Sequence, residues 1–292
     1  FGEPGSRKVG SMKRNNWIWL GLLGIVLVVS AGWYWFHNQS VNTSDQEQAS
    51  IGKTATLYLH GYSGGAGSTN TLIRHAKQAG ATKVLTATVS KNGKVSWLGS
   101  PHHVRKPIVQ VVFEDNRNPD AVKWADWLAT VNRQLYQRYG VRNVNFVAHS
   151  MGNMAVMFYA IRNQDQQKLP KINAYVAIAG HFDGIIGMGD QPHQIKLAAN
   201  GYPSPLDENY AELARMRDRF PKGVKVLNIY GDLRDGSDSD GRVSNNSSRS
   251  LRYLVSPRAA GYREREYFGR DAQHSALHEN PKVAQAVDAF LW

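Results

Sequence analysis

Phe146-Val147-Ala148-His149-Ser150-Met151-Gly152 sets a serine in a tight turn between an apolar run, 144–148, and a helical pattern over 153–161. A serine forced onto a sharp strand-to-helix turn stands clear of the sheet, and the helix N-terminus behind it favours negative charge. A nucleophile that generates an oxyanion needs both properties. The letters follow G-x-S-x-G except at the first glycine, where Ala148 stands. Such a turn requires small residues beside the serine, and alanine is the next smallest after glycine. The stretch therefore predicts a nucleophile elbow centred on Ser150.

Outward from this turn, strand-like and helix-like patterns alternate. Residues 55–59 form a short apolar strand candidate, and 71–78 a helix candidate behind the cap signals Ser68-Thr69-Asn70. Residues 84–89 alternate as a strand does and reach Lys91-Asn92-Gly93, a hairpin signal, with 94–98 returning. Residues 108–113 are the next strand. Asn118-Pro119-Asp120 opens a helix with Trp124, Trp127, Leu128, Val131 and Leu135 at helical spacing, ending near Gly140. That stripe reads as core packing. Further buried-strand patterns lie at 172–178 and 224–230, the last strand at 262–268, and a final helix at 281–291. The alternation predicts an α/β fold: a mostly parallel, doubly wound sheet with helices on both faces and the hairpin on an antiparallel edge. Between 180 and 210 the periodicity fails, and the stretch is expected to be a lid or substrate loop over Ser150.

A serine alcohol needs a base, an orienting acid and oxyanion donors. The base is expected after the last strand, where His274 stands, with His278 one turn later as the alternative. A histidine pair at that spacing can bind zinc, but no H-E-x-x-H is present and serine chemistry explains the site without a metal. The acid is expected after 224–230, in a loop carrying Asp232, Asp235, Asp238 and Asp240. Asp240 is favoured because it begins an Asp-Gly-x-Val run ahead of the serine-rich cluster 244–248. Asp183, one strand earlier, is the reserve. An aspartate-rich loop also hints at calcium. Aligned on Gly241, however, an EF-hand register puts Gly236 at its first ligand and Ser247 at its last, so the loop reads as solvated turns.

The oxyanion donors are expected to be the N–H of Met151, after the nucleophile, and that of Tyr62 in Leu59-His60-Gly61-Tyr62-Ser63-Gly64-Gly65. Glycines there let the backbone turn and approach a substrate. A phosphate loop fails, because Ala66 occupies the second glycine position and no lysine follows. His60 and His149 read as orienting or packing residues, and His102-His103 as surface loop.

The 292 residues include 42% hydrophobic side chains and no cysteine, enough for a full core and incompatible with disulfides, thiolate metal sites or a cysteine nucleophile. Residues 17–36 carry no charge, and Trp17, Trp19, Trp33, Tyr34 and Trp35 sit at the two ends. With Arg7, Lys8, Lys13 and Arg14 ahead of it, this run is expected to be an uncleaved single-pass transmembrane anchor with the N-terminus in the cytoplasm. A signal peptide is the rival reading, but the run exceeds a typical apolar region and Ser30-Ala31-Gly32 is a poor cleavage site. Residues 1–16 then form a basic cytoplasmic segment, of which 1–11 read as an extension upstream of Met12, and 37–53 a polar linker to a domain at 54–292. The net charge is +12, of which residues 1–16 supply +3. The rest is expected to favour electrostatic contact with anionic envelope polymers. Basic and acidic residues are interspersed without a recognition motif, so nucleic acid is not an expected partner.

Together these segments resemble the α/β-hydrolase superfamily, most closely the membrane-anchored cell-surface hydrolases of Gram-positive bacteria. LHGYSGG, FVAHSMGN, the run GDLRDGSDSDGRVSNNSS and HSALHENP carry the likeness, over roughly 54–292. The resemblance implies the fold, a triad of Ser150, Asp240 and His274, and an esterase- or lipase-like activity without a cofactor. The Asp240 spacing is common for the acid in lipase-like members. The expected function is hydrolysis of acyl esters, small or lipid, outside the membrane. Acyl transfer to an alcohol on a lipid or wall polymer is the alternative, and a catalytically silent surface-binding module is another.

Overall fold

Strands that are apolar on both faces need helices on both sides of their sheet. The computed structural model describes Gly2, residues 50–163 and residues 165–292, and it supplies those helices. Among the described residues the main sheet has eight strands: β1 (Thr54–Leu59), β2 (Thr82–Val89), β3 (Val95–Gly99), β4 (Pro107–Phe113), β5 (Asn143–His149), β6 (Lys171–Ile178), β7 (Lys225–Asp232) and β8 (Gly261–Phe268). Their order is β8-β7-β6-β5-β1-β4-β2-β3. Every neighbouring pair is parallel except β2 and β3, which form the expected antiparallel edge.

Side chains along β1 alternate between two cores, as a strand's period of two requires. Leu57 and Leu59 join the core that contains Trp124, Leu128, Met154 and Phe158. These come from helices α2 (Ala121–Arg138) and α3 (Met151–Asn163). Tyr58 faces the opposite core, with Leu72, Ile73 and Val283 from α1 (Asn70–Gln78) and α7 (Pro281–Leu291). The caps are chemically determined. Asp120 Oδ1 accepts from Lys123 N at 3.0 Å to start α2, and Asn280 Oδ1 accepts from Lys282 N at 2.9 Å to start α7 behind Pro281.

From β1 the chain builds β2, β3 and β4 on one side and then crosses to β5 on the other. That reversal opens a crevice beyond the carboxyl ends of β1 and β5, where ligands bind in open α/β sheets.

The stretch 180–210 is not the structureless loop its composition suggests. It carries two short ladders, Ile185–Ile186 with Gly189–Asp190 and Lys196–Leu197 with Pro203–Ser204, and it runs into α4 (Glu208–Arg215). Two five-residue helices, α5 (Asn245–Arg249) and α6 (Leu251–Val255), follow the aspartate-rich loop.

The expected transmembrane anchor is corrected. Residues 17–36 lie outside the described residues, as does the linker up to 49. Among the described residues, no helix is long and apolar enough to cross a membrane. The longest, α2, carries Lys123, Asp126, Arg133 and Arg138 and buries only the side that packs on the sheet and on α3. The described architecture is therefore the mostly parallel sheet and its helices, without a transmembrane helix among the described residues. The single-pass membrane contact and the outer-surface placement that rested on the anchor go with it.

Candidate active site

β5 ends at His149, and α3 begins at Met151, so Ser150 alone makes the turn. Its φ is 50°, in the left-handed region that a side-chain-bearing residue adopts only under constraint. The constraints are visible. Ser150 N donates to Ile178 O at 3.0 Å, and Asn153 N donates to Ser150 O at 2.9 Å. Gly152 leaves no room for a side chain, since a Cβ there would lie 2.7 Å from the backbone oxygen of His60. Ala148, buried within β5, occupies the position of the missing glycine without distorting the ladder to Leu59 of β1.

The serine hydroxyl lies 2.9 Å from His274 Nε2. On the other side of that ring, Nδ1–H donates to Asp240 Oδ2 at 2.8 Å. His274 follows β8 and Asp240 follows β7, so three parallel strands deliver the three side chains to one end of the sheet. Asp240 is fixed by its own loop: Oδ1 accepts from Arg242 N at 2.9 Å and Val243 N at 2.7 Å. Its backbone oxygen accepts from His274 N at 2.9 Å. The Asp240 side chain is 2% exposed and that of His274 12%, which keeps the pair out of bulk water while the imidazole edge still reaches the crevice.

The other candidates lie elsewhere. Asp232 Oδ1 accepts from Arg234 N, Asp235 Oδ1 accepts from Ser237 N, and Asp238 pairs with His193. Asp232 and Asp235 are spent on their own turns, and Asp238 on His193 of the 180–210 stretch. Asp183 accepts from Asp207 N at 2.8 Å and does not bond His274. Burial, with help from Asp207 and Asp190, raises its pKa to about 7. His278 bonds Glu279 and stacks edge-on against His149. His60 is a packing residue: its Nδ1–H donates to Gly61 O at 2.8 Å, its Nε2 accepts from Phe113 N at 3.0 Å, and burial lowers its pKa. His102 and His103 are exposed on a loop.

Beside the serine, Gly61 passes so close that a Cβ would stand 2.7 Å from Ser150 Cβ. The next turn is held by Asn116, whose backbone oxygen accepts from Ser63 N at 2.7 Å and whose Nδ2 donates to Gly64 O at 2.6 Å. Tyr62 and Met151 both line the cavity over Ser150. The N–H groups of both make no hydrogen bond among the described residues. A cavity of about 680 Å³ opens here, lined by Ser150 and His274, by the apolar Met154, Ile185 and Met188, and by His181 and Asp207 from the 180–210 stretch. That size suits a small organic ligand.

Residues 43–292 match the family described as an alpha/beta hydrolase of unknown function, DUF915. The chain belongs to that family. This hydrolase is similar to the product of gene lin2722 of Listeria innocua, at 25% identity and a TM-score of 0.74, covering 82% of this chain and 94% of that one. It shares its fold with a putative cell surface hydrolase from Lactobacillus plantarum, at 20% identity and a TM-score of 0.64, covering 82% and 89% of the two chains. No curated protein matches it. With the Ser150, His274 and Asp240 side chains in one hydrogen-bonded line, it is a serine hydrolase.

Two participants escaped the reading of the sequence. Asn116, which braces the loop carrying Tyr62, stands 54 residues downstream of it and is signalled by nothing local. His181 was visible only as one polar residue in an aperiodic stretch. Its position directly after a parallel strand was the available signal.

Proposed function

We propose that this hydrolase cleaves carboxylic esters through an acyl-enzyme on Ser150. The observation that carries the proposal is the continuous line from Ser150 Oγ through both nitrogens of His274 to Asp240, at 2.9 and 2.8 Å. Ser150 Oγ attacks the ester carbonyl carbon while His274 Nε2 takes the hydroxyl proton. Asp240 stays ionised, holds Nδ1–H and stabilises the imidazolium. The carbonyl oxygen, now an oxyanion, receives the N–H groups of Met151 and Tyr62. Collapse breaks the bond to the alkoxy oxygen, which leaves as the alcohol with the proton from His274. Water then attacks the acyl-enzyme with His274 again as base, releasing the carboxylic acid and restoring Ser150.

Kinetics on a chain-length series of p-nitrophenyl esters test this reading. Turnover by the wild type is expected, with loss of about 10³-fold or more in Asp240→Asn, because the amide no longer selects the reactive imidazole tautomer. Equal rates in the two proteins would refute the assigned roles.

A further inference from the structure

Ser150 and Asp240 follow the carboxyl ends of β5 and β7, and the amino ends of the same strands carry a different chemistry. A groove of about 910 Å³ opens there, lined by Arg142 just ahead of β5, Lys171 at the start of β6 and Lys222 ahead of β7. Lys168, in the turn before β6, is a fourth cation on its wall, and among the described residues no carboxylate lines it. Asp165, earlier in the same turn region, is engaged by Arg219 at 2.9 Å. Ester chemistry gives no use to the chain's net charge of +12, and part of that surplus is gathered here.

Strand pairing sets these cations in a row. Lys171 N donates to Arg142 O at 2.9 Å, and Lys171 is the Cα partner of Asn143. Lys222 stands three residues before Lys225, as Lys171 stands three before Ala174, and Lys225 and Ala174 are Cα partners. Neighbouring strands lie about 4.8 Å apart, so the cation-bearing positions follow one another across the amino end of the sheet. Arg142 is fixed in its place. Its Nη1 donates to Tyr136 O at 2.9 Å and to Val141 O at 3.1 Å, and its guanidinium lies 4.1 Å over the Tyr136 ring. Its Nε and Nη2 have no partner among the described residues, and that edge is the fork that grips a phosphate with two parallel bonds. A guanidinium held this way is preorganised, which spares an ordering cost on binding. The ammonium groups of Lys168, Lys171 and Lys222 also have no ion-pair partner among the described residues.

A row of cations fits a row of anions. One free phosphate can meet only part of the row, whereas a chain of phosphates meets all of it and releases counterions at each contact. A single-stranded nucleic acid needs aromatic faces on which its bases stack. Here Tyr136 is covered by Arg142, and Tyr159 is buried. We propose that this groove binds a linear polymer of phosphate groups without bases. Such a polymer holds the enzyme by the end of the sheet opposite the triad, which leaves the cavity over Ser150 open to substrate.

Isothermal titration calorimetry of the full chain with linear polyphosphate, over a series of salt concentrations, tests this. Kd is expected to rise about tenfold in Arg142→Gln, which loses the charge-assisted fork, and Arg142→Lys is expected to recover part of that loss. The double variant Lys171→Gln/Lys222→Gln is expected to bind about fivefold more weakly, and every variant that loses charge to show a shallower salt dependence. Because Arg142 also braces its own turn, the double lysine variant decides the matter if Arg142→Gln does not fold. Modification of Ser150 by a fluorophosphonate is expected at the wild-type rate in all of them, since the groove lies at the other end of the sheet. A wild type that does not bind polyphosphate, binds it no more tightly than orthophosphate, or binds it as the variants do overturns the proposal. Single-stranded DNA with the same number of phosphates, if bound as tightly, overturns the exclusion of bases.

Discussion

His149 Nε2–H donates to the backbone carbonyl of His274 at 2.9 Å, so the residue before the nucleophile holds the main chain of the base. The two rings are 4.9 Å apart, and His278 closes on His149 from the other side at 4.5 Å. Burial, reinforced by His274 and His278, holds the His149 pKa well below 6.5. The ring is neutral, and the bond to His274 fixes Nε2 as the nitrogen that carries its proton.

Replacing His149 with Phe keeps a ring in place and removes the donor. The expected outcome is a fall in kcat of about tenfold with KM changed less than about twofold, because the base is less well oriented while the cavity is intact. Stability is expected to fall by about 1–3 kcal/mol, the cost of an unsatisfied buried carbonyl. A histidine whose folded pKa is depressed contributes stability above its unfolded value, and that stability is lost as pH falls from 6.5 toward the folded pKa. Urea unfolding of His149→Phe should accordingly show a shallower loss of stability on the acid side than the wild type. An unchanged kcat and an unchanged acid slope would remove His149 from this role.

The close passage of the β1 loop over the elbow predicts that two glycines are indispensable. A Cβ on Gly61 would lie 2.7 Å from Ser150 Cβ, and one on Gly152 would lie 2.7 Å from His60 O. Gly152→Ala is expected to cost about 1–3 kcal/mol, as other overpacking changes do, because backbone must move. Ala148→Gly, which would complete the usual motif, is expected to lower stability by roughly 0.5–1 kcal/mol, since glycine weakens a strand interior. Chemical denaturation of both variants checks the pair, and a stabilised Gly152→Ala would contradict the packing.

Much of the sheet was legible because its strands are apolar runs separated by helices with clear caps, as at Asp120 and Asn280. Ser150 and His274 were legible for a related reason: Ser150 directly follows a recognisable strand, and His274 stands in the short connection between the last strand and the final helix. Asp240 was one of four aspartates in a single loop, and the turns that exclude the others depend on bonds such as Asp232 to Arg234 N and Asp238 to His193. The helices α5 and α6 were not legible. Asn-Asn-Ser-Ser is poor helix sequence, and α5 forms because Ser244 caps it at Ser247 N and its serines bond Gly180 and Gly184. The same long-range bonds anchor the backbone around His181, whose place three residues past the end of β6 was the signal available locally. The apolar run 17–36 taught the opposite lesson. Its hydropathy spoke strongly for a span, yet it lies outside the described residues, and no described helix can cross a membrane.

Asp183 carries a prediction of opposite pH sign to His149. Its Oδ2 is buried without a partner, and burial beside Asp207 and Asp190 raises its pKa to about 7. A raised carboxyl pKa contributes stability below the unfolded value of 3.8 that is lost as pH rises through about 7. Asp183→Asn keeps an oxygen for Asp207 N and cannot ionise. It is expected to be more stable than the wild type at pH 8, by at most about 4 kcal/mol, and to differ much less at pH 5. Urea unfolding at the two pH values decides it, and equal differences at both would mean that Asp183 does not titrate in this window.

The most direct test of the central claim is the reaction of the protein with a fluorophosphonate, with the adduct located by mass spectrometry. Activation of Ser150 by His274 at 2.9 Å predicts stoichiometric modification of Ser150 in the wild type, none in Ser150→Ala, and a rate reduced by at least about 10³-fold in His274→Ala. A wild-type protein that is not modified, or one modified at the same rate without His274, would contradict the account.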